Sequence, residues 1–229
     1  MTVLPRELAE YVLDFLTFKQ RMNACLVSMQ WTKFIRSAPS LWRHLDLTGA
    51  RRKVKNAFIS RAINVGRQCL RSATLTSLYD PDKALIALAR HTKLEELRLL
   101  DTGLQSQNLV DALRHAKHLT SLHTSAGTEL RVQAMMQIIS QAAGTLVSLQ
   151  CDHLTSHFTH DDLPKCPKLL NLALKTKNVD TAHVLSKRFV EAAPRLTSLT
   201  LHTNGNTGQS VPQNDLCTAD PFQTPQSMA

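Results

Sequence analysis

A hexapeptide with three apolar positions recurs along most of this chain of 229 residues, and it constrains the fold more than any other feature of the sequence. The pattern is L-x-x-L-x-L with similar replacements, and successive copies start between 23 and 28 residues apart. The seven copies start at Trp42, Leu70, Leu94, Leu119, Leu146, Leu169 and Leu196. A unit of this length cannot bury its own apolar side chains, so the units must stack on one another. We expect each hexapeptide to form a short strand whose apolar residues point into a shared core.

The stretches between the hexapeptides carry a helical pattern. Apolar residues recur in them at spacings of three and four, as on the buried side of an amphipathic helix. The pattern predicts helices within residues 54–69, 108–115, 130–141 and 182–192. Pro194 follows the last of these segments, where a proline ends a helix. Strand and helix therefore alternate, and the expected fold class is α/β.

The N-terminal residues 4–42 carry a different pattern. The segment opens with L-P-x-E-L, continues with V-x-x-x-W and closes with L-W. Pro5 suits the first turn of a helix, where its missing N–H costs nothing. Six apolar residues then recur on one helical face, namely Leu4, Leu8, Tyr11, Val12, Phe15 and Leu16. A second apolar set between Met22 and Ile35 completes a prediction of three short helices.

This N-terminal pattern resembles the F-box, the adaptor-binding segment of SCF-type ubiquitin ligase subunits. The resemblance implies a three-helix domain at residues 2–45 that docks on a Skp-type adaptor and, through it, on cullin and RING subunits. The matched positions imply these adaptor-binding residues: Leu4, Pro5, Leu8, Val12, Leu16, Leu26, Val27 and Trp31. The chain departs from many F-boxes at Lys19-Gln20-Arg21-Met22, where an Asp-Leu pair is common, and at Met29, where a small or basic residue is common.

Such a small helical unit needs cover for its apolar faces. About forty residues without a disulfide or a metal rarely bury a self-sufficient core. Periodicity alone leaves open whether the rest of the chain or another protein covers them. The F-box resemblance favours another protein.

The repeated part resembles the leucine-rich-repeat arrays of the F-box/leucine-rich-repeat class. The resemblance implies a short α/β solenoid at residues 46–204, although the asparagine expected late in each unit is present only as Asn204. It also implies that residues alternating with the inward apolar positions face a concave surface that binds a substrate protein. The candidate substrate-binding residues are Glu96, Arg98, His123, Gln150, Lys175 and His202.

The two resemblances together imply the substrate-recognition subunit of an SCF-type, cullin-RING ubiquitin ligase. A non-degradative interaction scaffold with an F-box stays open as the alternative. The chain contains no G-x-S-x-G, G-x-x-x-x-G-K-[ST], G-x-G-x-x-G or H-E-x-x-H motif. We therefore expect no enzymatic activity, no catalytic residues and no cofactor.

The densest group of metal-ligating residue types lies between Cys151 and Asp162. It contains Cys151, Asp152, His153, His157, His160, Asp161 and Asp162. On a helix, His153 and His157 would share a face and could hold zinc with a third ligand. The spacing matches no standard zinc site, so the sequence favours a polar loop here and no bound metal.

The formal net charge is +9, and the charge is uneven. Between Asp46 and Asp80 lie no acidic residues but seven basic ones: Arg51, Arg52, Lys53, Lys55, Arg61, Arg67 and Arg71. This basic stripe fits a solvated helix face, a contact for an acidic or phosphorylated protein, a nuclear import signal or a nucleic-acid site. Few aromatic residues accompany it, so stacking on bases is poorly supported and the solvated face is favoured.

Three further features concern the compartment and the chain's end. No apolar run approaches the length of a membrane span, and the first residues lack the plan of a signal peptide. The five cysteines are scattered without a C-x-x-C pair, which is typical of reduced thiols. We expect a cytoplasmic or nuclear protein without a membrane partner. Residues 205–229 contain no Lys or Arg and are rich in small and polar types, which predicts a disordered tail.

Overall fold

The computed structural model describes residues 5–48, 54–66, 69–76, 78–125, 130–155, 163–177 and 179–203. Within these ranges a group of three short helices precedes an alternation of strands and helices, which gives a mixed α/β fold. The predicted tail at residues 205–229, Leu4 and Asn204 lie outside the described residues.

The three N-terminal helices are α1 (Arg6–Asp14), α2 (Phe18–Val27) and α3 (Met29–Ser37), followed by a 3-10 helix (Pro39–Trp42). α1 begins directly after Pro5, as its proline predicts. Thr17 and Gln20 form a capping box at the start of α2. The Ser28 Oγ accepts a hydrogen bond from the Trp31 N–H at 3.1 Å and so caps α3. The prediction of three short N-terminal helices is therefore confirmed.

Eight strands of the described chain form one parallel sheet. They are β1 (His44–Asp46), β2 (Ser72–Thr76), β3 (Glu96–Leu100), β4 (Ser121–Thr124), β5 (Leu130–Arg131), β6 (Ser148–Thr155), β7 (Asn171–Thr176) and β8 (Ser198–Thr203). The order across the sheet is β1-β2-β3-β4-β6-β7-β8, and β5 pairs with the far end of β6. Neighbouring strands along the sheet are therefore successive in the chain, apart from the short β5.

The strand register places the hexapeptides side by side. Their middle positions pair from strand to strand as Leu45, Ala73, Leu97, Leu122, Leu149, Leu172 and Leu199. The apolar positions of the first six copies are buried, and polar residues alternate with them on the other face. The equivalent residues of the last copy, at Leu196, Leu199 and Leu201, are only half-buried because β8 has a neighbour on one side alone among the described strands. The predicted strands are thus confirmed in position, and their register aligns equivalent residues of successive units.

Five helices alternate with these strands: α4 (Asn56–Gly66), α5 (Pro81–His91), α6 (Ser106–Leu113), α7 (Val132–Ala142) and α8 (Val179–Ala192). Their apolar residues join the inward strand residues in one core. Four of these helices were expected from periodicity, and α5 was missed. Its signals were Asp80, whose Oδ1 accepts a hydrogen bond from the Lys83 N–H at 3.2 Å, and Pro81 at the first helical position.

Trp42 joins the N-terminal helices to the sheet. Its side chain is 3% exposed, and its Nε1 donates a hydrogen bond to the Ile35 carbonyl at 2.9 Å. The ring of Phe18 lies edge-on to Trp42 at 5.9 Å and to Phe58 of α4 at 6.1 Å. Gly66 at the end of α4 packs against Trp42 so closely that an added Cβ would lie 2.9 Å from the Trp42 Cβ. The helical segment and the repeats therefore share one packed junction.

None of the described helices combines the length and the apolar character that a membrane span requires.

Candidate functional site

The outer face of α1 carries large apolar side chains that the described residues leave exposed. Leu8, Tyr11 and Val12 are exposed, and Phe15 just after the helix is 72% exposed. Tyr11 and Phe15 pack edge-on with ring centroids 4.9 Å apart. α1 attaches to the rest of the molecule through its other side, where Ala9 and Leu13 are buried. The helix is therefore apolar on two sides, and only one of them is buried among the residues that the structure describes.

A second exposed apolar group lies where α2 passes into α3. Leu26 is 85% exposed and Val27 is 77% exposed, and Met29 is also exposed. Trp31 is 37% exposed and packs edge-on against Phe34 at 6.1 Å. Since Ser28 ends α2 and caps α3, these side chains are held at a fixed corner between two helices.

The eight predicted adaptor-binding residues fall into three classes in the structure. Six of them are exposed: Pro5, Leu8, Val12, Leu26, Val27 and Trp31. Leu16 is half-buried and packs against the core, and Leu4 lies outside the described residues. Tyr11, Phe15 and Met29 are exposed apolar residues that the predicted set omitted. Helical periodicity pointed to the first two, whereas Met29 had no such signal.

Hydrogen bonds and an ion pair of polar side chains hold in place the helices that carry these two exposed groups. The Arg21 Nη1 donates a hydrogen bond to the Leu41 carbonyl at 2.5 Å and lies 3.7 Å from Asp14 Oδ1. Burial lowers the pKa of this guanidinium, and Asp14 opposes that shift. The departure from the common Asp-Leu pair thus places a buried arginine where α2 meets the 3-10 helix.

A carboxylate ties α1 to the same 3-10 helix. Glu10 accepts hydrogen bonds from the Ser40 Oγ at 2.7 Å and from the Arg6 Nε at 2.9 Å. These two bonds hold the pKa of Glu10 below its ordinary value of 4.5. The orientation of α1, and with it the direction of its apolar face, is fixed by this contact as well as by packing.

The predicted substrate-binding residues lie on the polar face of the sheet. Arg98, His123 and Gln150 are register partners in three adjacent strands, β3, β4 and β6. Glu96 lies two residues before Arg98 on β3, and Lys175 pairs with His202 on β7 and β8. The structure therefore brings the first three together and places Lys175 and His202 as a separate pair.

A depression of about 400 Å³ lies between these two sets and is lined by Gln150 of the first and by Lys175 and His202 of the second. It opens where the row Arg98, His123 and Gln150 continues with the small side chain of Ala173. Asp152 lines it, accepts a hydrogen bond from the Gln150 Nε2 at 3.1 Å and has its Oδ2 3.5 Å from the His123 Nε2. Sequence reasoning assigned Asp152 to the metal-ligating group and missed its place here. Strand alternation through Ser148 and Gln150 was the signal.

The suggested metal-ligating group is not assembled in the described residues. β6 continues to Thr155, so His153 is part of a strand and a shared helical face with His157 is wrong at that position. Cys151 is fully buried in the core, and its inward direction separates it from the exposed sheet face. His157, His160, Asp161 and Asp162 lie outside the described residues. No group of three metal-ligating side chains occurs in the part of the chain that the structure describes.

Three of the described thiols lie in environments that disfavour the reactive thiolate. Burial raises the pKa of Cys151 to about 12 and that of Cys166 to about 11, and it also raises the pKa of Cys25. These three cysteines are therefore poor nucleophiles at neutral pH.

The basic stripe is divided in the structure. Arg51, Arg52, Lys53 and Arg67 lie outside the described residues. Lys55 precedes α4, and Arg61 is exposed on that helix. Arg71 lies beyond the other end of α4, where its Nε is 3.3 Å from Glu95 Oε1. The described residues of this segment thus offer no continuous basic surface.

Comparison with known families and proteins bears on the N-terminal helices. A model of the F-box-like family matches residues 1–48, which cover α1 to α3, the 3-10 helix and β1. The search of the curated proteins found no match. The match ends just after the first hexapeptide, and it supports an F-box protein. At the level of that family it implies binding to a Skp-type adaptor and a receptor role without catalysis.

Proposed function

We propose that this protein is a substrate-recognition subunit of an SCF-type, cullin-RING ubiquitin ligase. The observation that carries the proposal is the pair of exposed apolar groups on α1 and at the α2–α3 corner, both within the F-box-like segment. The proposed adaptor-binding set is Leu4, Pro5, Leu8, Val12, Leu16, Leu26, Val27 and Trp31, extended by Tyr11, Phe15 and Met29.

The energetics support a protein partner for these groups. Covering a Leu, Val or Phe side chain contributes roughly 1.5 to 3 kcal/mol. Large exposed apolar side chains gathered on so small a unit mark an interaction surface. Because Arg21, Glu10 and Trp42 fix the helices from behind, the surface is preorganised, and little further ordering is required on binding.

The repeats would hold the substrate. We propose an F-box at residues 2–45, a leucine-rich-repeat-like solenoid at 46–204 and a tail at 205–229. The polar sheet face, with the depression beside Gln150, Ala173 and Lys175, is the proposed substrate surface. The mechanism is proximity: the buried junction at Trp42 fixes the distance between adaptor and substrate, and other subunits perform the ubiquitin transfer. The protein would act in the cytoplasm or nucleus and would need no cofactor.

Adaptor capture tests the first half of the proposal. The intact protein should bind a purified Skp-type adaptor, and a Leu8→Ala, Val12→Ala variant should bind it at least tenfold more weakly. Val184→Ala, Val190→Ala on α8 is the matched control, because these residues are also exposed and apolar but lie far along the repeats. Equal binding by the two variants and the unmodified protein would refute adaptor docking on α1.

The half-life of the captured partner tests the second half. A substrate receptor shortens the half-life of its solenoid-bound partner, and the Leu8→Ala, Val12→Ala variant should restore it. An unchanged half-life in cells with active proteasomes would instead indicate the non-degradative scaffold.

A further inference from the structure

The edge of the sheet at which the strands begin carries a row of positive charge. The residues immediately before the last five hexapeptides are Lys93, His118, Thr145, Lys168 and Arg195. All but Thr145 are exposed, and exposed Lys117 adjoins His118. We name Lys93, Lys117, Lys168 and Arg195 the basic rim. These residues occupy corresponding turns of the stacked units, so they follow one edge of the molecule.

Backbone hydrogen bonds fix the spacing of these turns. The Thr120 N–H donates to the Glu95 carbonyl at 2.8 Å, and the Val147 N–H donates to the Thr120 carbonyl at 2.7 Å. The same bond recurs at 2.8 Å from Leu170 to Val147 and from Thr197 to Leu170. Each turn is thus held one strand from the next, or about 4.8 Å, and the rim spans about 19 Å from the third unit to the seventh.

The charge on this edge is unbalanced. The turns at residues 114–121, 143–148, 163–171 and 193–198 contain five Lys or Arg residues and no Asp or Glu, whereas the turn with Lys93 also carries Glu96 and Glu95, of which Glu95 pairs with Arg71. Arg114 is paired with Asp111 at 3.5 Å. Among the described residues, no carboxylate pairs with any member of the basic rim within 4.0 Å. Four exposed cations are therefore available to a ligand.

Helix ends alone do not account for these cations. α5 to α8 end at this edge, and a helix C-terminus attracts positive charge because it carries about half a negative charge. The turn after α7, however, reads Ala143-Gly144-Thr145 and has no cation. A helix in this position therefore ends without one, and the basic residues of the other turns exceed what the fold needs.

We propose that the basic rim binds an acidic segment of a partner protein. An extended segment of about six residues would cover 19 Å at about 3.3 Å per residue. The same turns contain no Trp, Tyr or Phe, so they lack the aromatic platforms on which single-stranded nucleic acid stacks. The inference deepens the proposed function, on which it rests only for identifying the partner as a substrate: it assigns the substrate an acidic docking segment outside the polar sheet face.

A labelled decaglutamate peptide and the intact protein test the inference in low salt. Charge reversal of the rim by Lys93→Glu, Lys117→Glu, Lys168→Glu and Arg195→Glu should weaken binding at least tenfold. The matched control is Lys55→Glu, Arg131→Glu, Lys177→Glu and Lys187→Glu, which changes the net charge equally at exposed positions away from the rim. It should leave binding within twofold. Alanine at the four rim positions should weaken binding at least threefold and keeps the test valid if charge reversal disturbs folding.

Three results would overturn the inference: no binding of the peptide by the unmodified protein, equal loss in rim and control variants, or tighter binding of a single-stranded RNA of equal charge. The rim variant should still capture the adaptor, because the rim lies outside the proposed adaptor-binding set. This measurement separates the inference from the proposed function. Rim-dependent peptide binding without adaptor capture by the unmodified protein would leave the rim in place and refute the receptor role.

Discussion

The N-terminal helices leave large apolar side chains exposed, whereas the repeats bury most of theirs. In the first six hexapeptides the apolar positions are buried by neighbouring strands and helices of the same chain. In the F-box-like segment, side chains as large as Phe15 and Leu26 remain exposed although the segment packs on the repeats through Trp42. Lack of neighbours does not explain this, because α1 and α3 each bury another side. The difference supports the proposal that the repeats stabilise the chain and that the helices keep one surface free for a partner.

The two tryptophans give the largest contrast between these regions. Trp42→Ala should lower the free energy of unfolding by about 3 to 5 kcal/mol, because it leaves a cavity at the junction and leaves the Ile35 carbonyl without its donor. Trp31→Ala should lower it less, by about 1 to 2 kcal/mol, because Trp31 is 37% exposed and its ring packs edge-on against Phe34. Chemical denaturation of both variants measures this. Similar losses would mean that the helical segment is not divided into a buried and an exposed side.

Substitutions at two glycines test the same contrast, and we expect their effect on stability to be intermediate. Gly66→Ala should cost about 1 to 3 kcal/mol, because its Cβ would meet the Trp42 Cβ at 2.9 Å and the Trp42 carbonyl oxygen at 3.2 Å. Gly144→Ala adds a methyl group with no neighbour within 4 Å and should be neutral or slightly stabilising. Thermal unfolding compares them. A neutral Gly66→Ala would contradict a tight contact between α4 and the end of the helical segment.

The hydrogen bond from Ser40 to Glu10 is expected to make the smallest contribution to stability, and this contribution depends on pH. Since the folded-state pKa of Glu10 is lowered below 4.5, its stabilisation is complete above pH 4.5 and is lost as the pH falls through the folded-state pKa. For so accessible a contact we expect about 1 kcal/mol or less. Ser40→Ala removes the main cause and should raise the pKa of Glu10 in a carboxyl NMR titration. The stability difference between Ser40→Ala and the unmodified protein should shrink towards pH 3, and an unchanged Glu10 titration would refute the contact.

The strands were the most predictable part of the fold. Their period, their starts and their inward positions follow from the hexapeptides, because stacking requires equivalent residues to align. Helix α5 was not predicted, although Asp80 and Pro81 mark its start and its buried residues Ala84, Leu85, Leu88 and Ala89 recur at helical spacings. The bulge between Cys151 and Leu154 in β6 depends on pairing across strands, which a local pattern does not encode.

The candidate adaptor surface was less predictable than the fold. Periodicity identified apolar faces on α1 but did not show that Leu13 would be buried and Tyr11 exposed, because both sides of the helix carry apolar residues. Arg21 is buried against the Leu41 carbonyl, a partner twenty residues away in sequence. Burial of this kind depends on how the helices pack, and no spacing rule indicates it.

The most direct test of the central claim measures stability and adaptor affinity on one variant. Leu26→Asp, Val27→Asp places two charges on side chains that are exposed in the free protein and would be covered by the adaptor. We predict a melting temperature within about 4 °C of the unmodified protein, since surface changes usually cost less than about 0.5 kcal/mol each. We also predict at least a hundredfold loss of affinity for the Skp-type adaptor, because each lost side chain is worth roughly 1.5 to 3 kcal/mol when buried. Unchanged affinity, or a large fall in melting temperature, would contradict the claim that this corner is kept free for a partner.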